Sequence, residues 1–427
     1  MEKLFLEVTG SELSLSEERI KAAIEASIAS RKESLKKVLL IPPDASRLYS
    51  HAGVLTNYYY DLLKDTCQVD VLPALGTHMP MDHEEIDLFF GTNIPKDRFL
   101  VHNWRNDVVK IGEVPKEFIA QVSDGRMNEK IDVEVNKLLL DKSYDLVISI
   151  GQVVPHEVVG LANYSKNIFV GIGGKNMIDK SHMLGAVCNL ENIMGRDKTS
   201  VRRMFDYAQE EVFNKLNIPL LYVLTVMKFE GDQNAVKGLY ISQDREGFTR
   251  AAKASQQYNM TFLEKPVKKV VAYLQPEEFK STWIGNKAVY RSRLAIADEG
   301  ELIVLAPGVR QFGEDPGNDK LIRKYGYRGD DIIKIMYDEG DLMNNQSVPA
   351  HLLHGSSFDR FKIVYAVANM TKEEIEGVNF SYLSYEEAIQ KYDPAKLKDG
   401  YNTLPDGEEI FYISNPSLGL WASKDKF

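Results

Sequence analysis

Apolar residues in this chain come in short unbroken runs, each closed by a turn bearing glycine or proline. The runs are "KKVLLIPPDASR", "CQVDVLPALGTH", "YDLVISIGQVVPH" and "IPLLYVLTVMKF", followed by "VKKVVAYLQPEE", "ELIVLAPGVRQFG", "FKIVYAVANM" and "EIFYIS". A strand with one wet face alternates apolar with polar residues, whereas an unbroken run suits a strand buried on both faces of a parallel sheet. Between the runs the spacing becomes that of amphipathic helices, in "SEERIKAAIEASIASRKESL", "TNYYYDLLKDT", "HEEIDLFFG", "DKTSVRRMFDYAQEEVFNKL", "DREGFTRAAKASQQYN" and "SYEEAIQKY". Strands alternating with helices predict an α/β fold. The 427 residues exceed what one core usually supports, and the polar stretch "AAKASQQYNMTFLEKP" separates two strand series. We therefore expect two α/β domains with mainly parallel or mixed sheets, residues 1–258 and 259–427. The active site is expected in the cleft between them, and the last residues are free to pack back on the first domain.

Composition narrows the function more than the fold. A hydrophobic fraction of 44% and a charged fraction of 27% are those of an ordinary globular protein. The net charge of -10, with no basic run, speaks against a nucleic-acid or membrane-surface binder. No apolar run is long enough to span a bilayer, and the first twenty residues lack the core of a signal peptide. Two cysteines, Cys67 and Cys188, form neither a disulfide framework nor a zinc-ligand spacing. A reducing cytoplasm fits these features, and a homo-oligomer is compatible with them.

Ligands of open α/β sheets bind beyond the carboxyl ends of the strands. The first three such ends carry Asp44-Ala45-Ser46-Arg47, Gly76-Thr77-His78 and Pro155-His156. Five of the eight histidines fall between positions 78 and 182. One strand-end histidine is more often a loop cap than a catalyst, but three polar strand ends together favour a site. The guanidinium of Arg47 suits a carboxylate or phosphate, its bland alternative being an ion pair with Asp44. Lys166 stands in a nearly uncharged stretch, where it either snorkels to solvent or serves as a nucleophilic amine. The glycines of "VGIGGKN" form neither a dinucleotide fingerprint nor a P-loop.

These residues resemble, in order and spacing, the nickel-dependent lactate racemase family, whose members carry a nickel-pincer nucleotide. "DASRLYSHAG" is similar to the family's Asp-x-Thr-Arg loop, with Ser46 replacing threonine, and "ALGTHMPM" to its Ala-Leu-Gly-Thr-His motif. "PHEVVGLANYSKNIFVGIGG" resembles its His…Lys stretch, and "GKNMIDKSH" puts His182 sixteen residues after Lys166. The "VHNW" around His102 also looks familiar. The resemblance implies that Lys166 holds the cofactor covalently and that His182 is the protein's ligand to nickel. It further implies that Asp44, Ser46 and Arg47 lie near cofactor and substrate, and that His78 and His156 are paired acid/base groups, one for each face of a 2-hydroxy acid. Enzymes that build the cofactor are then implied partners.

The second half departs from the family. The carboxylate-binding Tyr-Gln-x-x-Lys helix reads Trp283-Ile284 before Lys287, and the usual Gly-Gly-Ala before the cofactor lysine reads Asn163-Tyr164-Ser165. Lys287 remains a candidate for the substrate carboxylate. The altered pocket points away from lactate, toward malate or a longer sugar or aldonic acid. His351 and His354 lie one helical turn apart, and a site-rim or surface placement is expected for them before a metal pair. The expected activity is a racemase or 2-epimerase working by hydride transfer. The alternatives are a nicotinamide-type 2-hydroxy acid dehydrogenase, against which no strand–GxGxxG–helix unit is visible, and a non-catalytic nickel or cofactor carrier.

Overall fold

A computed structural model describes residues 3–230 and 233–427. The chain divides into two compact units, one of residues 1–181 and 195–259, the other of residues 182–194 and 260–427.

The strands of the first unit are, in chain order, β1 (Leu4–Glu7), β2 (Lys37–Ile41), β3 (Gln68–Val71), β4 (Val108–Val114), β5 (Ile131–Asn136), β6 (Leu146–Gln152), β7 (Pro155–His156), β8 (Gly160–Leu161), β9 (Leu220–Glu230) and β10 (Gln233–Ser242). Six of them form one mixed sheet in the order β1-β10-β9-β6-β2-β3. The pairs β9–β6, β6–β2 and β2–β3 are parallel, whereas β10 runs antiparallel to both β1 and β9. The unbroken apolar runs are these parallel strands: Val38 to Ile41 and Leu146 to Gly151 are buried throughout. Val38, Leu40, Val71, Leu146, Ile148, Leu221 and Val223 share one core with Ile24, Ile28, Leu55 and Tyr59 of the helices Glu17–Ile28 and Ala52–Leu63. Each such side chain contributes roughly 1.5–3 kcal/mol by leaving water. Ser16 caps the first of these helices by accepting from the Arg19 amide, with Glu17 and Glu18 complementing the helix dipole. Asp82 and Glu85 form a capping box at the helix His83–Phe90.

The sheet order has a consequence for function. From the central β2 the chain adds β3 on one side and later β6 on the other. The carboxyl ends of β2 and β6 therefore flank the switch point of the sheet, where doubly wound folds leave a crevice.

One helical expectation needs correction. The stretch 197–216 reads as one helix but forms an α-helix at Ser200–Tyr207, a π-helical turn at Ala208–Val212 and a 3-10 turn at Phe213–Leu216.

The second unit contains β11 (Thr261–Leu263), β12 (Val267–Tyr273), β13 (Ile296–Ala306), β14 (Phe361–Val367), β15 (Ser381–Ser384), β16 (Gly400–Thr403), β17 (Glu409–Ile413) and β18 (Trp421–Ser423). Its main sheet runs β15-β14-β13-β12-β17-β16, parallel except for the edge pair β16–β17. The final strand β18 pairs with β11 in a separate small sheet, beside a cluster in which Leu190 and Met194 meet Met260, Tyr290 and Leu294.

Candidate active site

Three loops leave the carboxyl end of the first sheet and are tied to one another by backbone bonds. After β2, Pro43 bridges Ala74 of the loop after β3, and the Ala74 amide donates to Pro42 O at 2.8 Å. The Gly76 amide donates to Gly171 O at 2.8 Å, which requires the left-handed backbone of Gly76 (φ 56°). Gly171 ends a buried π-helical turn, Asn167–Gly171, that starts directly after Lys166. Asn167 reaches back across the switch point, its Nδ2 donating to Ile41 O (3.1 Å) of β2 and Ser149 Oγ (2.9 Å) of β6. Lys166 is thus fixed where the sheet opens. A π-helical turn is an uncommon conformation that often marks functional sites.

The segment behind this turn is held from the other side. His102 Nε2 donates to Gly173 O (3.1 Å) while its Nδ1 accepts from Asn136 Nδ2 (2.9 Å). Burial lowers the pKa of His102, so its ring is a neutral strut between loops. Gly173 admits no side chain, since a Cβ there would stand 1.8 Å from Phe169 O.

Asp44 organises the first polar cluster. Its Oδ1 accepts from the Ser46 amide (3.2 Å) and Ser46 Oγ (2.5 Å), and its Oδ2 lies 2.5 Å from His78 Nδ1. Burial would raise the Asp44 pKa, but the bonds from His78 and Ser46 outweigh it and the net shift is downward. The same contact raises the pKa of His78, against burial and the nearby charges of Arg47 and Lys166. His78 remains largely exposed, at 61% of its side-chain surface. Arg47 is exposed and makes no side-chain hydrogen bond or ion pair among the described residues; the pairing with Asp44 weighed above does not form, because His78 and Ser46 occupy that carboxylate.

Lys166 is partly buried, and its amine has no hydrogen bond or ion pair among the described residues. Burial, reinforced by Arg47 and opposed by Glu157, lowers its pKa from 10.5 to about 8. His156 is buried, and its Nδ1 accepts the Val158 amide at 3.1 Å, with Glu157 Oε2 at 3.9 Å. Asp44, Ser46, Arg47, His78 and Lys166 are therefore brought to one end of the sheet, with His156 following from β6 on the β7–β8 pair.

Residues 6–195 match the family described as the lactate racemase N-terminal domain. The N-terminal part of this chain is therefore similar to that domain of the lactate racemases. A lactate racemase from Thermoanaerobacterium thermosaccharolyticum is 26% identical over 176 residues, which cover 39% of this chain and 38% of that protein. The chain thus aligns in sequence with well under half the length of that curated relative. The fold likeness is wider. A crystal structure of a Thermotoga maritima protein superposes with a TM-score of 0.77 at 24% identity, covering 98% of this chain and 100% of the other. The lactate racemase apoprotein from T. thermosaccharolyticum gives 0.70 at 16% identity, again covering 98% and 100%. At these identities the superpositions speak for the fold.

Within the first unit, the departure at Asn163-Tyr164-Ser165 has a structural account. Asn163 (φ 67°) and Tyr164 (φ 59°) both adopt the left-handed conformation natural to glycine. Arg202, fully buried, holds them there: Nη1 donates to Ser165 Oγ (2.9 Å), and Nη2 donates to Leu161 O (2.7 Å) and Asn163 O (3.2 Å). Tyr164 stacks on Phe248, with centroids 5.2 Å apart. Arg202 also contributes to the lowered pKa of Lys166. Sequence reading missed Arg202, which sits in an ordinary helical pattern, and Asn167, which looks like any loop asparagine.

The remaining candidates are counted with the second unit. His182 is partly buried on the helix Lys175–Val187, at the first residue counted with the second unit. Lys287 Nζ donates to Ser417 Oγ (3.1 Å) and lies 3.6 Å from Glu278 Oε1. His351 and His354 share the helix Ser347–His354 but are buried, which corrects the surface or rim placement expected for them. His351 stacks on Trp283 (4.3 Å) and meets Tyr327 OH (2.8 Å), and burial lowers its pKa to about 3.

Proposed function

We propose that this chain is an isomerase, a racemase or 2-epimerase of a 2-hydroxy acid, with a nickel-pincer nucleotide as its cofactor. The observation that carries the reading is Lys166: an unpaired amine, largely shielded from water, with a pKa near 8, inside the segment that matches the lactate racemase N-terminal domain. An amine of this kind is partly neutral at physiological pH and is suited to acylation, the bond by which the cofactor would be tethered. Arg47, uncommitted beside it, suits the phosphate of a nucleotide or the carboxylate of a substrate. Among the described residues no three His, Cys, Asp or Glu side chains are grouped to hold a metal ion. His182 would be the protein's ligand to a nickel ion whose other donors would come from the cofactor.

When bound, the nucleotide would supply the acceptor for the hydride of Cα. The protein's own share is proton handling and orientation. His78, with Asp44 behind it, is built to take a hydroxyl proton, because the carboxylate steadies the imidazolium that forms. Arg47 would orient the substrate carboxylate. The Asn163-Tyr164 and Trp283-Ile284 replacements favour an acid other than lactate, such as malate or a longer sugar acid.

The test is incubation of the cofactor-loaded protein with single enantiomers of lactate, malate and aldonic acids in deuterated buffer. Inversion with little deuterium at Cα is expected. Extensive incorporation at Cα would refute hydride transfer, and no inversion of any acid would refute the isomerase.

A further inference from the structure

His102 is a buried histidine that the acid/base reading leaves unused, and its two ring nitrogens have fixed and opposite roles. Asn136 Oδ1 accepts the backbone N–H of Leu138 at 3.0 Å, so the other end of that side chain, Nδ2, donates to His102 Nδ1 at 2.9 Å. A backbone amide only donates, which settles the way the Asn136 side chain points. His102 Nδ1 therefore carries no proton, and the ring's one proton sits on Nε2, where it meets Gly173 O at 3.1 Å. Gly173 lies on the same stretch of chain as Lys166. The π-helical turn that follows Lys166 closes through the Ile172 amide to Asn167 O (3.1 Å), and the next residue, Gly173, bridges Val135 of β5. The Asn136 amide donates to Ile172 O at 2.8 Å. His102 and Asn136 thus clamp the far end of the turn whose near end is Lys166.

A protonated His102 cannot keep this clamp. Its Nδ1–H would point at the Asn136 NH2 group, and that side chain has no acceptor to offer because its Oδ1 is held by Leu138. Burial acts in the same direction, since it disfavours the imidazolium. The charges around the ring do not reverse this. Asp107 favours the charged form but is paired with Lys137 at 2.8 Å, and Glu134, on the same face of β5 as Asn136, accepts the Asn176 amide at 3.1 Å. We propose that His102 is a positioning residue for Lys166, holding the Asn167–Gly173 segment in place while its ring is neutral and releasing it on protonation. Because the folded ring takes a proton less readily than a free one, the clamp is at full strength above the ordinary histidine value of about 6.5. It weakens as pH falls from there toward the folded value. The importance of the clamp for catalysis rests on the isomerase reading; the clamp itself does not.

The test is hydrogen exchange of the full chain at pH 8 and pH 5, read by mass spectrometry on the peptide spanning 167–174 and corrected for the intrinsic exchange rate. At pH 5 a free imidazole is protonated over neutral by about thirtyfold, which sets the ceiling of the effect. Wild-type exchange in this peptide should rise several-fold toward that ceiling, with β6 unchanged. Glutamine offers one donor and one acceptor at similar reach and does not titrate, so His102→Gln should keep the wild-type protection at pH 8 and lose the rise at pH 5. His102→Phe strands Gly173 O and Asn136 Nδ2 and lets water reach the segment. The pH midpoint of Lys166 acetylation should then move upward from about 8, whereas His102→Gln leaves it in place. An equal rise in wild type and His102→Gln, no rise beyond that of β6, or an unmoved Lys166 midpoint in a folded His102→Phe protein would overturn the proposal. Should His102→Phe misfold, the comparison of wild type with His102→Gln decides alone. If the clamp is found and no hydroxy acid is inverted by the cofactor-loaded protein, it is the isomerase reading that fails.

Discussion

The lowered pKa of Lys166 is the property most open to direct measurement. With a pKa of about 8 rather than 10.5, roughly a tenth of the amine is neutral at pH 7, against about 0.03% for an ordinary lysine. That is roughly a 300-fold excess of nucleophilic amine. The assay is trace acetylation of protein produced without the cofactor-building enzymes, with each lysine peptide quantified by mass spectrometry across pH 6–11. Lys166 should label with a midpoint about two and a half units below exposed lysines, and the Lys166→Ala protein should lose that component alone. The causes have opposite signs that variants can separate. Arg47→Gln removes a neighbouring cation and should raise the midpoint by a fraction of the shift, because burial is the larger cause. Glu157→Gln removes an opposing anion and should lower it further. A midpoint for Lys166 close to those of exposed lysines would refute the argument, since neither burial nor Arg47 would then be acting on the amine.

Three further outcomes are expected. Arg202→Met strands the carbonyls of Leu161 and Asn163, and should cost about 3 kcal/mol of stability by chemical denaturation while raising the Lys166 labelling midpoint. Asn163→Gly should be tolerated, whereas Asn163→Ala, lacking both glycine's freedom and the side-chain bond to the Tyr164 amide, should lose about 1 kcal/mol in the same assay. His351, with a folded pKa near 3, stays neutral while the unfolded chain takes up a proton below about 6.5. Its contribution to stability is therefore present above pH 6.5 and is lost as pH falls, by about 2 kcal/mol at pH 5; His351→Gln should flatten that slope in acid denaturation.

The parallel strands were legible because burial on both faces leaves a mark no other element shares: Val38 to Ile41 and Leu146 to Gly151 cannot alternate when neither side is wet. The antiparallel additions left a fainter trace. The hairpin β4–β5 keeps much of β4 half-exposed, and its apolar residues are too scattered to read as an unbroken run. The break in the helix after Tyr207 has no glycine or proline to announce it, since a π-helical turn is made by packing rather than by composition. His351 and His354 were misjudged for a related reason. Their periodicity gives a helix face, but only the tertiary neighbours Trp283 and Tyr327 decide that the face is inside.

The candidate site was legible where it depends on residue type and illegible where it depends on backbone shape. Asp44, Ser46, Arg47, His78 and Lys166 are visible because strand ends rarely carry so many polar groups. The loop before Lys166 was the apparent weak point, since glycines seemed to be required there and Asn163-Tyr164 replace them. Yet both residues hold glycine's conformation, at a strain of roughly 1–3 kcal/mol each. Arg202 bonds the loop carbonyls and Phe248 stacks on Tyr164, which offsets that strain through packing that sequence spacing does not reveal. Beside Lys166 a backbone path natural to glycine is thus secured here by other side chains. A departure from a family motif at such a position changes what lines the pocket before it changes where the lysine stands.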